Sequence, residues 1–247
     1  MDFTYSIINV ILGIVLLIIL CKYFESFWSE SLAKPYKWEQ AVKDKTISAI
    51  LKSSEKKYYD KVRFYSIWFQ IDRIIREDVK GDFAELGVHK GETSKLIFEI
   101  APSRFFHLFD TFEGFSEKDL KFENKQGGMY SSKQFSDTSL ETVKTHIGQS
   151  NHLIFHPGYF PDTAKGLENK KFSFVHLDAD LYLPTIEGLK FFYPRLSPGG
   201  VIIVHDYNHI WDGVKKALDE FMPTIPESLI ELPDWKGSVM IVKNKIN

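Results

Sequence analysis

Cysteine is almost absent from this chain: Cys21 is the only one in 247 residues, and it sits inside an apolar N-terminal run. A single cysteine excludes an intrachain disulfide framework and any zinc site built from several thiolates. Blocks of one charge are missing as well. Lys and Arg number 31 against 33 Asp and Glu, a formal net charge of −2 with both signs interspersed. No Lys/Arg cluster of the kind that neutralises phosphates stands out, so nucleic acid is set aside as a partner. No internal repeat or low-complexity segment interrupts the chain. What is present is ordinary for a globular enzyme: 44% of residues are hydrophobic and 26% charged, with length enough for one sizeable core plus an appendage.

The appendage is the N-terminal run. Phe3 to Phe24 supplies 22 residues, which as a helix would reach roughly 33 Å, about the thickness of a bilayer core. Ile7 to Leu20 is apolar on all faces but for Asn9 and Gly13. A cleavable signal would carry a basic head and small residues before its cut, whereas Asp2 is the only charged side chain ahead of the run. The segment 3–24 therefore reads as a single transmembrane anchor. Lys22, Lys34 and Lys37 lie at or after its end, and the positive-inside rule then sets the following domain in the cytoplasm.

Residues 25–80 read as a linker and N-terminal helices. Phe64, Trp68, Ile71 and Ile75 recur at helical spacing, a stripe that would pack on a sheet, with Lys61, Arg63, Arg73 and Arg76 outside it. After Lys80-Gly81 the pattern changes to short apolar runs alternating with helices. Strands are expected at 83–86, 105–109, 153–156, 173–177 and 200–204, with helices at 93–100, 185–196 and after Asp212. Segments 228–232 and 238–242 close the chain as a hairpin-like pair. Alternation of this kind implies an α/β fold on a mainly parallel, doubly wound sheet, with an antiparallel strand at its C-terminal end. The polar insert 116–150, with Gly127-Gly128 inside it, reads as a mobile lid over the sheet edge.

The chemistry gathers at strand ends. Phe174 to Leu177 runs into Asp178-Ala179-Asp180, and a later apolar run ends in His205-Asp206. Alternation puts Asp178 and Asp180 on one side, and two such strands side by side would collect Asp178, Asp180, His205 and Asp206 at one edge. That is a site for a divalent cation and a base, at the sheet edge where open α/β folds bind ligands. Helix capping alone would leave these like charges crowded without a counter-ion.

The first strand ends in Glu85-Leu86-Gly87-Val88-His89-Lys90-Gly91-Glu92-Thr93. This is not GxGxxG, yet Gly87 and Gly91 would let backbone approach a ligand closely. Glu85 would repel a pyrophosphate and suits an ammonium group, while Thr93 at the helix start can donate to a carboxylate. Asp110, ending the next strand, has the position of an acid that binds ribose hydroxyls. A nucleoside carrying an amino acid fits both, which points to S-adenosylmethionine. His176 reads as a core histidine; His89 and His209, in loops at this edge, are candidates for acceptor binding.

The series Gly81 to Val88, Leu108 to Phe115, His156 to Thr163, His176 to Tyr182 and Pro198 to Ile203 resembles the macrocin-type O-methyltransferases that act on antibiotic sugars, over roughly residues 60–243. The resemblance implies a class I methyltransferase (Rossmann-like) domain over 81–247, methyl transfer from S-adenosylmethionine to a sugar hydroxyl, and a bound divalent cation, usually magnesium. It carries Glu85, Gly87, Thr93 and Asp110 onto cofactor-binding motifs, Asp178 and Asp206 onto metal ligands, and Asp180 onto the base. Where that family usually has two aspartates before a tyrosine, this chain has His205-Asp206-Tyr207; imidazole leaves manganese open beside magnesium. The anchor is a second departure and suggests a glycan or lipid-linked sugar as acceptor. Two other readings stand beside this one: a metal-dependent glycosyltransferase using Asp178-Ala179-Asp180, and an inactive membrane-tethered binding module.

Overall fold

A computed structural model describes residues 3–32, 34–125, 130–208 and 212–245. The chain divides into two compact units, Met1–Lys52 and Ser53–Asn247.

The first unit holds α1 (Phe3–Leu32) and α2 (Tyr36–Lys43), and α3 (Ala49–Lys57) runs across the boundary. Among the described residues α1 is the one helix long and apolar enough to cross a membrane, over Tyr5–Phe27. It continues past the run read from the sequence because Glu25 to Leu32 offers no proline or glycine to stop it.

The second unit opens with α4 (Lys61–Arg76), whose N-terminus is capped by Asp60 accepting from the Arg63 amide at 3.0 Å. There follow β1 (Asp82–Leu86), α5 (Glu92–Ile100), β2 (Phe106–Asp110), α6 (Glu117–Lys125), α7 (Leu140–Ile147), β3 (Leu153–Pro157), β4 (Phe172–Leu177), α8 (Tyr182–Phe192), β5 (Leu196–Val204), α9 (Gly213–Phe221), β6 (Ile230–Glu231) and β7 (Val239–Val242). The strands form one sheet in the order β3-β2-β1-β4-β5-β7-β6. The first five are parallel; β7 runs antiparallel to β5 and β6. This is a doubly wound, Rossmann-like arrangement. The hairpin-like pair does form, but β6 keeps only two residues.

Strand alternation sorts the core into two layers. Ala84, Leu86, Val175, Leu177, Ile202 and Val204 share a cluster with Ile186, Leu189 and Phe192 of α8 and Val214, Leu218 and Phe221 of α9. The intervening residues, Phe83, Phe174 and Val201 among them, are equally buried, and α4 contributes fully buried Phe64, Ile67, Ile71 and Ile74. Each buried aromatic or branched side chain here contributes about 1.5–3 kcal/mol. The expected stripe on α4 is shifted in its last turn, where Ile74 is buried and Ile75 is 47% exposed, one residue from the helix end.

The insert after Phe115 is not uniformly polar. It contains α6 and α7, and α7 buries Val143 and Ile147 against the side of α5 that carries Gly91. Two apolar residues four apart were enough to give the segment a packed face, which its overall polarity concealed. Gly127 and Gly128 lie outside the described residues.

Candidate functional site

Four strands deliver their carboxyl ends to one place. β1 leads into Gly87, β2 ends on Asp110, β4 leads into Asp178-Ala179-Asp180, and β5 into His205-Asp206. Strand order reverses between β1 and β4, and at such a switch point the diverging loops leave a crevice. A cavity of about 620 Å³ opens there, within the range of small-molecule sites. Glu85, Gly87, Thr93, Asp110, Asp178, Asp180 and His205 all line it. Asp206 and Gly91 are not on its wall: Asp206 is 3% exposed beside it, and Gly91 caps α5 with φ +81°, where a Cβ would come within 3.0 Å of Ile147.

Gly87 has the stricter reason. Its φ is +89°, and a Cβ would lie 2.0 Å from the Asp178 carbonyl oxygen, so only glycine lets β1 and β4 end this close together. The approach is sealed by the Asp178 amide donating to the Leu86 carbonyl at 2.8 Å.

Beyond it the backbone turns left-handed at the acids themselves, with φ +57° at Asp180 and +62° at Asp206. Aspartate tolerates this conformation better than most residues, yet each instance stores of order 1 kcal/mol or more.

His205 stands at the centre of the carboxylates. Its Nδ1 lies 3.1 Å from Asp178 Oδ1 and 3.3 Å from Asp206 Oδ2, and its Nε2 lies 4.0 Å from Asp234 Oδ2. Burial alone would lower its pKa, but the Asp178 charge and hydrogen bond outweigh burial and bring it up to about 9. The same pairing, against a burial effect of opposite sign, holds the Asp178 carboxyl well below the usual carboxylate range, with Arg63 assisting. Asp206 is also lowered, His205 again overcoming burial. Asp180 goes the other way: burial, then the Asp206 and Asp178 charges, push it well above the ordinary value. Carboxylates driven apart in this manner divide into ion-holding groups and a proton acceptor.

Asp178, His205 and Asp206 each offer one donor atom, and the three lie within 4.8 Å of one another. Both carboxylate oxygens of Asp206 are buried without a hydrogen-bond partner, although Lys236 Nζ stands 3.3 Å from one of them. His205 Nδ1 is 3.3 Å from the other oxygen, so Asp206 already faces two basic groups, and the oxygen-rich set with one imidazole would suit a divalent ion such as magnesium or manganese.

The nucleoside side of the cavity is more occupied than expected. Asp110 Oδ2 accepts from the amides of Val88 and His89 at 2.7 and 2.8 Å, and Oδ1 from the Phe112 amide at 2.7 Å. It thus braces the glycine turn to its own loop. Glu85, 1% exposed, accepts from Ser94 and pairs with His176 Nδ1 at 2.9 Å. Its pKa is raised, by burial first, against those partners. His176 is the core histidine expected, in register with Glu85 across β1 and β4. His89 lines the cavity, but its Nε2 is 2.9 Å from Asp137 Oδ1. Hydrogen bonds to His89 and Lys90 bring the Asp137 carboxyl down to about 2, tying the glycine turn to the segment before α7. His209 lies outside the described residues.

Several residues were missed from the sequence. Arg63 reaches from α4 to within 3.4 Å of Asp178; helical periodicity places it on the polar side and says nothing of a long side chain bent back to a strand end. Tyr130, buried beside Phe115, has its phenol pushed up by burial and then by Asp180 and Asp206. Trp235, 76% exposed, and Lys236 form part of the cavity mouth. Only the aromatic at 235, in a turn between two expected strands, offered any signal.

The model of the Macrocin-O-methyltransferase (TylF) family matches residues 58–240. A Streptomyces olivaceus protein, 8-demethyl-8-(2,3-dimethoxy-alpha-L-rhamnosyl)-tetracenomycin-C 4'-O-methyltransferase, is 28% identical over 156 residues, 59% of this chain and 60% of that protein. Mycinamicin III 3''-O-methyltransferase of Micromonospora griseorubida is 29% identical over 150 residues, 56% of this chain and 59% of the relative. The chain thus spans about 60% of the length of the curated relatives it matches. Among solved structures, the O-methyltransferase NovP superposes with a TM-score of 0.62 at 24% identity, covering 75% of this chain and 81% of that one. A calicheamicin methyltransferase gives 0.59 at 19% identity, covering 73% and 78%. Both share the fold.

Proposed function

The chain belongs to the macrocin O-methyltransferase family, and from that premise we propose that it moves a methyl group from S-adenosylmethionine to a hydroxyl of a sugar or glycan, with a divalent cation held by Asp178, His205 and Asp206. What carries this reading is the meeting of those three donors and Asp180 at the edge of a cavity that Gly87, Thr93 and Asp110 also line. The sulfonium supplies an electrophilic methyl, and a bound cation supplies orientation and a lowered pKa to the acceptor hydroxyl. Asp178 and Asp206, which keep their negative charge, would hold the cation together with His205 once its imidazolium proton has passed to solvent. Asp180, with its raised affinity for a proton, takes the one that leaves the acceptor oxygen. Gly87 lets β1 and β4 end side by side at the cofactor pocket, and Asp110 holds the turn that receives the ribose in shape. The burial of these groups limits competing water.

Isothermal titration of the full-length protein with S-adenosylmethionine and with a nucleotide sugar tests the class of ligand, and a methyl-transfer assay on sugar acceptors tests the reaction. Binding of the sulfonium compound, with transfer that stops on chelation and returns with magnesium or manganese, is expected; Asp178→Asn should not be rescued by either metal. Binding of the nucleotide sugar alone would favour glycosyl transfer. Activity that survives exhaustive chelation would remove the cation from the reaction.

The location is part of the same proposal. α1 would cross the bilayer once, and Lys22, Lys34 and Lys37 after the apolar stretch set the domain that follows on the cytoplasmic side, where a glycan or lipid-linked sugar would be met at the membrane surface. A reporter fused after Asn247 should behave as cytoplasmic. Glycosylation of that fusion, or periplasmic activity, would overturn the orientation.

A further inference from the structure

Trp235 takes no part in the chemistry proposed above, yet the turn that carries it, between β6 and β7, is held from several directions. Asp234 accepts from the Ser238 amide and, at 2.6 Å, from its hydroxyl. The Tyr207 amide donates to the Gly237 carbonyl at 2.8 Å, and the Asn208 amide to the Lys236 carbonyl at 3.2 Å. Gly237, at φ +76°, packs so closely that a Cβ there would lie 2.6 Å from Asn208 Cβ. From the other side Asp60 Oδ2 accepts from the Trp235 amide at 2.7 Å, while its Oδ1 caps α4. This fixed backbone presents an indole that is 76% exposed at the wall of the cavity. Aromatic surface of that size is ordinarily withdrawn from water, and here the turn keeps it outside.

Resting on the sugar-acceptor reading of this site, we propose that the face of the Trp235 indole is the platform on which a pyranose ring of the acceptor stacks. A pyranose has a face of weakly polar C–H bonds and a rim of hydroxyls. Its C–H hydrogens carry a small positive charge and meet the electron-rich face of an indole, while the rim stays free for polar partners. The place fits that division. Trp235 lines the same cavity as Asp180, and the next residue, Lys236, sets Nζ 3.3 Å from Asp206 Oδ1. The platform thus starts one lysine side chain from the carboxylates, within reach of a hydroxyl on a ring that rests on it. Tyr59, 84% exposed, adds a second aromatic to the cavity wall, next in sequence to the Asp60 that holds the Trp235 turn. Charges of both signs surround the mouth, Lys57 and Lys236 with Asp60 and Asp180. It therefore offers no single-sign field to an anionic lipid surface and many partners to neutral hydroxyls. An indole on a fixed backbone has only two side-chain dihedrals to immobilise, so stacking costs little order.

The test titrates the full-length protein, in the presence of S-adenosylhomocysteine, with the methyl glycosides of glucose, galactose and rhamnose, read by saturation-transfer NMR. Wild type should bind at least one of them, with saturation concentrated on the C–H protons of one ring face. Trp235→Ala should weaken that glycoside about 10-fold or more, the effect of removing a central aromatic contact, and leave S-adenosylhomocysteine affinity unchanged. Trp235→Tyr keeps an aromatic face and should retain part of the binding. Trp235→Leu keeps apolar bulk without that face and should not. Equal glycoside binding by wild type and Trp235→Ala, equal binding by the Tyr and Leu variants, or no glycoside binding by wild type would each overturn the platform. A change of particle mass in Trp235→Ala with glycoside binding untouched would make the indole a contact between two copies, and overturn it as well. Should the variants not fold, the wild-type saturation pattern decides, since saturation spread evenly over both ring faces excludes stacking on one plane. A wild type that binds no S-adenosylhomocysteine overturns the methyltransferase reading itself; one that binds it without any dependence of glycoside binding on Trp235 overturns the platform alone.

Discussion

Asp180→Asn is expected to lower turnover by about 10²- to 10⁴-fold, the usual range for losing a general base, while leaving S-adenosylmethionine and cation affinity within a few-fold of wild type. The amide keeps the shape of the carboxylate and tolerates the left-handed backbone at this position, so the backbone gives no reason for misfolding. What it loses is the proton acceptor. The pH profile gives a second readout: because burial and the neighbouring Asp206 and Asp178 charges raise the Asp180 pKa, wild-type turnover should rise with pH along a limb lying above the ordinary carboxylate range. That limb should vanish in the variant. Single-turnover rates measured with saturating cofactor decide it, and a variant within threefold of wild type would take the base role away from Asp180.

Gly87→Ala should cost the fold about 3 kcal/mol or more, combining an unfavourable backbone region with a methyl group driven into a neighbouring strand. Gly148→Ala is the matched control. Both glycines have positive φ, +89° and +109°, but a Cβ at 148 meets nothing within 4 Å whereas one at 87 lies 2.0 Å from the Asp178 carbonyl. The control isolates the backbone contribution, of the order of 1 kcal/mol. Chemical denaturation of the two variants beside wild type measures the difference, and near-equal midpoints would mean that β1 and β4 do not end in contact.

The architecture was largely legible because its signals are local. Short apolar runs alternating with helical stripes yielded the parallel strands, and two acids after one such run with His205-Asp206 after another marked the edge that carries the site. Less could be read where a residue's partner is distant. Nothing in Asp110 and its neighbours announces that its carboxylate would collect amides from Val88, His89 and Phe112, since those bonds exist only once β1 and β2 lie side by side. Arg63 lies 115 positions from Asp178, and no periodicity links them. The face that α7 presents with Val143 and Ile147 was lost in a segment whose average composition is polar.

The left-handed backbone at Asp180 and Asp206 also limits what these positions can become. Glycine and asparagine fit that conformation readily; glutamate, although it keeps the charge, has no short side-chain amide or acid to bond its own backbone, and a β-branched residue is worse. The routes away from chemistry are therefore few and recognisable. Asn or Gly at 180 and 206 would remove the carboxylate at little backbone cost, whereas Val or Thr would add strain.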